Sequence, residues 1–164
     1  DTLSVLVPLL PVSSSYLLSF VYIGSYWNNH HPMLHAVNRI TGGVLWATLH
    51  LLFWLSLLPF VTGWMGENHF ARLPTALYGG VLLMAAIAYQ ILVVTIIREE
   101  GPDSLLAKAV GRDFKGNIST AAYIVAIVLC FVFRQWAAQA LYALVALIWL
   151  VPDRRIERIL PPAA

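Results

Sequence analysis

The densest group of side chains able to do chemistry is Trp27-Asn28-Asn29-His30-His31-Pro32-Met33-Leu34-His35, followed by Asn38 and Arg39. His31 and His35 are four residues apart, a spacing that puts two imidazoles on one helix face, as helical metal sites do. Two ligands do not complete a site, however, and no carboxylate lies nearby in sequence. Pro32 also disturbs the local helix. Three readings stay open. These side chains bond interfacial water, backbone carbonyls and neighbouring helices; or they position an adjacent helix; or they hold a metal. The first asks least of the sequence.

His50 stands apart, in the middle of a long apolar run, and an ionisable group at such a position is a functional candidate by default. A bis-histidine haem needs a second histidine at matching depth on a facing helix. His50 lies about ten residues into its run, roughly 14 Å deep at 1.5 Å per residue. His30, His31 and His35 fall near the membrane edge, so the depths disagree. A hydrogen-bonded packing residue, with Thr48 or Ser56 as company, is the expected role.

Other chemistries are excluded more firmly. No catalytic triad, phosphate loop or paired carboxylate occurs, and no Asp or Glu lies inside any apolar run. The expectation is therefore a protein that is not an enzyme and carries no cofactor. A proton-coupled carrier is disfavoured for the same reason, since such proteins place carboxylates near the midplane. No Thr-Val-Gly-Tyr-Gly loop is present, so a carbonyl-lined filter is not expected either.

The elements that must position these residues follow from composition. Of 164 residues, 60% are hydrophobic and 11% charged, and mean hydropathy is +0.76. A soluble domain carries about 25% charged residues. The fold class expected is all-α, a polytopic transmembrane helical bundle forming one domain over 1–164. A crossing helix needs roughly 20 apolar residues, and reading from charge to charge gives five runs, near 10–31, 41–64, 73–98, 117–134 and 136–152. Pro59 predicts a kink near the outer end of the second run. Gly79, Gly80 and the alanines of the last two runs permit close helix approach. Tyr26, Trp27, Trp64, Trp136 and Trp149 gather at run ends like an interfacial belt, whereas Trp46 and Trp54 lie deeper and are expected to pack. Cys130 is expected to behave as a small hydrophobe.

Charge sets orientation. Arg39, Arg98, Lys108, Arg112, Lys115, Arg154, Arg155 and Arg158 fall on one face, against Arg72 and Arg134 on the other. Eight against two makes the first face cytoplasmic, with the C-terminus inside and Asp1 outside. The basic residues form no patch with interleaved aromatics, so no nucleic-acid partner is expected. An external start without a secretory signal leads to the expectation of one more span before Asp1. Between the third and fourth runs, Pro102-Asp103-Ser104 can start a short helix bearing Leu105, Leu106, Ala109 and Val110, expected to lie in the headgroup layer.

The blocks Tyr16-Leu17-Leu18-Ser19-Phe20, Gly24-Ser25-Tyr26-Trp27-Asn28-Asn29-His30-His31, Leu45-Trp46, Leu57-Leu58-Pro59-Phe60 and Pro152-Asp153-Arg154-Arg155-Ile156-Glu157 together resemble the prokaryotic branch of the lysosomal potassium channel family, the transmembrane protein 175 type. The resemblance covers essentially the whole chain. It implies a six-helix subunit of which five spans are visible, and a homotetramer around a central potassium-conducting pore in a prokaryotic cell membrane. It also implies a first helix with an Arg-x-x-x-Phe-Ser-Asp motif that lines the pore and supplies a hydrophobic constriction. That motif is absent from these 164 residues. What carries over is a supporting polar shell: Trp27 with His30 or His31, and Thr48, which stands where many relatives have Asn; His50 is grouped with them. The rival functions are a haem-binding membrane anchor of a redox enzyme and a divalent-metal transporter using His30, His31 and His35.

Overall fold

A computed structural model describes residues 10–35, 37, 40–110 and 114–150. Expectations attached to Asp1, Asn38, Arg39, Arg112, the closing 152–157 block and Arg158, and to the side chains of Pro32, His35, Leu105, Ala109 and Val110, lie outside what is described. The chain forms α1 (Leu10–His35), α2 (Gly42–Glu67), α3 (Arg72–Glu100), α4 (Leu105–Val110), α5 (Phe114–Val132) and α6 (Gln135–Leu150), with no strand among the described residues. Each of the five apolar runs is a helix, its ends within four residues of those expected. By length and composition, α2, α3 and the Lys115–Val132 stretch of α5 are able to cross a membrane, while α6 is apolar but shorter.

Local chemistry sets the boundaries. Thr41 caps α2, its hydroxyl accepting from the Val44 amide at 3.4 Å, as an N-cap threonine does. The α2–α3 turn passes through His69 and Phe70, both with positive φ (48° and 57°), a region that side chains with a Cβ seldom occupy. Its backbone is tied down by Phe70 N donating to the Met65 carbonyl at 2.9 Å and by Thr75 Oγ1 donating to the Phe70 carbonyl at 3.1 Å. Gly101, at φ 93°, ends α3. Ser104 then caps α4 by accepting from the Ala107 amide at 3.2 Å.

Packing runs α1 on α2, α2 on α3, α3 on α5, and α5 on α6, with α6 returning to α1 and α3 also touching α6. This makes α3 the central helix, and it buries Tyr78, Gly79, Leu82, Ala85, Ala88, Tyr89, Leu92 and Ile96. Two apolar clusters fill the bundle. One gathers Tyr22, Leu58, Met65, Tyr78, Tyr123, Cys130, Ala138 and Tyr142. The other gathers Met33, Val44, Leu51, Leu92, Ile96 and Leu106 at the end where α1 and α3 finish and α2 begins. Leu106 is thus buried against the bundle, so α4 is docked on its helices rather than only lying beside them. That end also carries Arg98, Lys108 and Lys115, whereas Arg72 and Arg134 sit at the opposite end.

Side-chain directions add detail that the sequence did not carry. α2 stays helical on both sides of Pro59. Trp46 is 75% exposed and faces outward, while Trp54 is partly buried and packs against the second cluster. Of the adjacent glycines, Gly79 is pressed against Tyr142 and Ile127, whereas Gly80 has open space about it. Cys130 is fully buried among helices.

Candidate functional site

The site is assembled on neighbouring faces of α1 and α2. Ile23, Tyr26, Trp27 and His30 recur at the i, i+3, i+4, i+7 spacing that aligns side chains along one helix face. Leu51, Leu52, Leu55 and Pro59 form the matching stripe on α2. Between them, with Ser56, they bound an apolar groove of about 430 Å³. Phe60, Gly63, Trp64 and Glu67 continue the α2 surface from Pro59.

His30 is the polar anomaly of this groove. Its side chain is 8% exposed, and Nε2 is buried without a hydrogen-bond partner among the described residues. A buried polar atom left so is destabilising by roughly 1–3 kcal/mol, which is why native interiors seldom keep one. Trp27, one turn earlier, is 60% exposed and stacks on His31 with ring centroids 5.4 Å apart and planes at 21°. Asn29 turns the other way and donates from Nδ2 to the Ser25 carbonyl at 2.8 Å.

The residues singled out in sequence do not all meet. Trp27 and His30 line the groove, and His31 joins them through the Trp27 ring. Thr48 lies on the same α2 stripe, four residues before Leu52, and so continues the groove face by one turn. His50 is turned to the other side of α2. There its Nε2 accepts from Trp54 Nε1 at 3.0 Å, so its partner is Trp54 rather than Thr48 or Ser56. An iron bound at this nitrogen would have to displace that bond. Among the described residues no three His, Cys, Asp or Glu side chains come together as a metal site.

Sequence reasoning missed a second polar assembly in the core. Ser19, Tyr22, Ser25 and Asn29 of α1 are all buried, while Tyr16, Leu17 and Phe20 face outward. Ser19 Oγ is paired with Thr62 Oγ1 of α2 and donates to Tyr78 OH at 3.4 Å. Tyr22 OH donates to the Tyr142 carbonyl, and Tyr142 OH to the Thr75 carbonyl at 3.2 Å. Tyr78 and Tyr142 pack edge to face at 5.6 Å. The signal was present as a polar residue every three or four positions of α1, legible once polar faces of a membrane helix are expected to point inward.

Known proteins bear on this arrangement directly. The family model for the endosomal/lysosomal potassium channel TMEM175 matches residues 1–59, a stretch that holds every groove-lining residue. A potassium channel of Chryseobacterium sp. is 51% identical over 153 residues, covering 93% of this chain and 79% of that protein. A potassium channel of Streptomyces collinus is 28% identical over 86 residues, half of this chain and 42% of its own length. No solved structure matches the chain at a significant level. High identity over nearly the full chain, with the groove inside the matched segment, identifies an integral membrane potassium channel: the chain belongs to the prokaryotic branch of the TMEM175 family.

Proposed function

We propose that the α1–α2 groove seats the pore-lining helix of the assembled channel, and that Trp27, His30, His31 and Thr48 form its supporting polar shell. The observation that carries this reading is His30 Nε2, a buried hydrogen-bonding atom without a partner among the described residues, beside an open apolar groove. A helix from outside the described residues, with a polar group at the level of His30, would satisfy that atom and cover the Leu51–Pro59 stripe. His50, grouped with these residues by sequence, stands apart from the shell on the far side of α2, where it accepts from the Trp54 indole. The subunit works as one of four around a central pore, conducting potassium passively past a hydrophobic constriction. The end carrying Arg98, Lys108 and Lys115 faces the cytoplasm of a prokaryotic cell, in keeping with the basic-residue asymmetry.

The test is potassium flux from liposomes containing the full-length channel. His30→Phe keeps the bulk but removes both ring nitrogens, and is expected to lower flux about ten-fold at equal inserted protein, the effect of losing ~1.4 kcal/mol of hydrogen bonding. His50→Phe, on the far face, is expected to change flux less than His30→Phe does. Wild-type flux in His30→Phe refutes the seat.

A further inference from the structure

The interior hydroxyls described above are nearly all matched to one another, with one exception. Ser25 is 4% exposed, and its Oγ is buried with no hydrogen-bond partner among the described residues. Serine and threonine within a helix ordinarily turn the hydroxyl back to the carbonyl four residues earlier. In this chain Thr95, Ser119 and Thr120 do so at 2.8, 2.8 and 2.9 Å. Ser25 does not; it lines a small, largely enclosed cavity.

That cavity holds about 10 Å³ and is bounded by Tyr22, Ser25 and Tyr26 of α1, Tyr123 of α5 and Trp149 of α6. The volume is about that of one water-sized sphere, the least a buried water needs. The aromatic walls are fixed. Tyr22 and Tyr123 pack at 6.4 Å between centroids, Tyr26 and Tyr89 at 6.0 Å, and Tyr89 and Trp149 at 6.0 Å. Trp149 is further held by its Nε1 donating to Ser119 Oγ at 2.7 Å. These ring contacts hold the walls around the space, and an organic ligand does not fit in it.

We propose that the chamber beside Ser25 is a binding site for a single internal water molecule that links α1 to α5 and α6. The water accepts a hydrogen bond from Ser25 Oγ and donates to the surrounding tyrosine oxygens. Tyr123 is suited to receive it, because its own proton is committed to the Tyr22 oxygen, Tyr22 in turn donates to the Tyr142 carbonyl, and the Tyr123 oxygen is left as an acceptor. Hydrogen bonds of this kind make a buried water part of the structure. The site lies one turn before Asn29 and His30, so it fixes the rotation of α1 at the turn that presents the histidine. This inference rests on the core and not on the groove, so it stands or falls independently of the pore-helix seat.

The experiment is solid-state NMR on the full-length channel in lipid, with labelled serine and tyrosine and magnetisation transferred from water. A long-lived water signal to Ser25 is expected in the wild type. It is expected to vanish in Ser25→Val, whose added methyl occupies the chamber, while transfer to the exposed Ser56 is unchanged. A density map fine enough to show waters serves as the second readout, with a peak about 2.8 Å from Ser25 Oγ expected. Absence of both the signal and the peak in the wild type, with Ser25 Oγ bonded to the Val21 carbonyl, overturns the proposal. Survival of the signal in Ser25→Val overturns it as well.

Discussion

Gly79→Ala tests the packing of the central helix at one atom. A Cβ built at Gly79 would come 2.8 Å from Tyr142 Cζ and 3.0 Å from Ile127 Cγ1, and closer still to the Tyr142 hydroxyl. The ring cannot swing aside easily, because Tyr78 and Tyr123 flank it at 5.6 and 6.3 Å. Overpacking of this kind costs about 1–3 kcal/mol. If the ring is pushed off the Thr75 carbonyl, a buried hydrogen bond is lost at a further ~1–3 kcal/mol. Against this, alanine is favoured over glycine within a helix by about 0.8–1 kcal/mol. The net is a destabilisation of about 1–5 kcal/mol. On a protein of this size that is about 2–20 °C in melting temperature, readable by thermal unfolding in detergent. Gly80→Ala is the matched control, since nothing lies within 4 Å of its added Cβ, and it is expected to be neutral or slightly stabilising. Tyr142→Phe added to Gly79→Ala removes the worst overlap but leaves the ring carbon, so partial rescue is expected. If Gly79→Ala melts like wild type, or Gly80→Ala is equally damaging, the α3–α6 contact is not as described.

Three further substitutions probe separate links. Trp54→Phe leaves His50 Nε2 without its donor and is expected to destabilise by about 1 kcal/mol, with potassium flux per inserted protein retained; abolished flux would place His50 in the conduction machinery. Tyr22→Phe removes the donor to the Tyr142 carbonyl and should cost about 1–3 kcal/mol, seen as a lower melting temperature. Ser104→Ala removes the α4 cap at about 0.5–2 kcal/mol of helix stability, expected as faster amide exchange at Ala107 and Lys108 with the core unchanged; unaltered exchange there would contradict the cap.

The helices were legible because the bilayer imposes a coarse rule, that long apolar runs bounded by charge become helices. The short helix at Leu105 was legible too, since Ser104 is a capping residue followed by apolar positions. What apolarity does not encode is which way a helix turns. Trp46 and Trp54 are identical in type and sit in the same run, yet one faces outward and the other inward. Gly79 and Gly80 likewise differ only in direction, and only a neighbour's ring makes one of them indispensable. Pro59 interrupts the hydrogen-bond ladder without breaking the helix, because residues on both sides keep packing on α3. At the site, the Trp27–His31 cluster was visible as composition. The groove was not, since half of its wall comes from the bland stretch Leu51–Pro59. The His50–Trp54 bond was readable in principle from its i, i+4 spacing.

The two polar assemblies explain each other through α1. Its core face presents Ser19, Tyr22, Ser25 and Asn29, and an adjacent face presents Ile23, Trp27 and His30 to the groove. A helix gripped on one side by hydrogen bonds to α2, α3 and α6 cannot rotate freely. Hydrogen bonds also fix direction in a way apolar contacts between lipid-like surfaces do not. His30 Nε2, unpartnered among the described residues, is therefore held at a constant height and azimuth. That is what a seat requires if a pore-lining helix is to settle against it in one register rather than several. On this view the tyrosine core contributes to conduction without touching the ion. Loosening it, as in Tyr22→Phe, should broaden the distribution of single-channel conductance before it abolishes flux, whereas His30→Phe should lower flux directly. Wild-type single-channel behaviour in Tyr22→Phe, with flux lowered in His30→Phe, would separate the core from the seat.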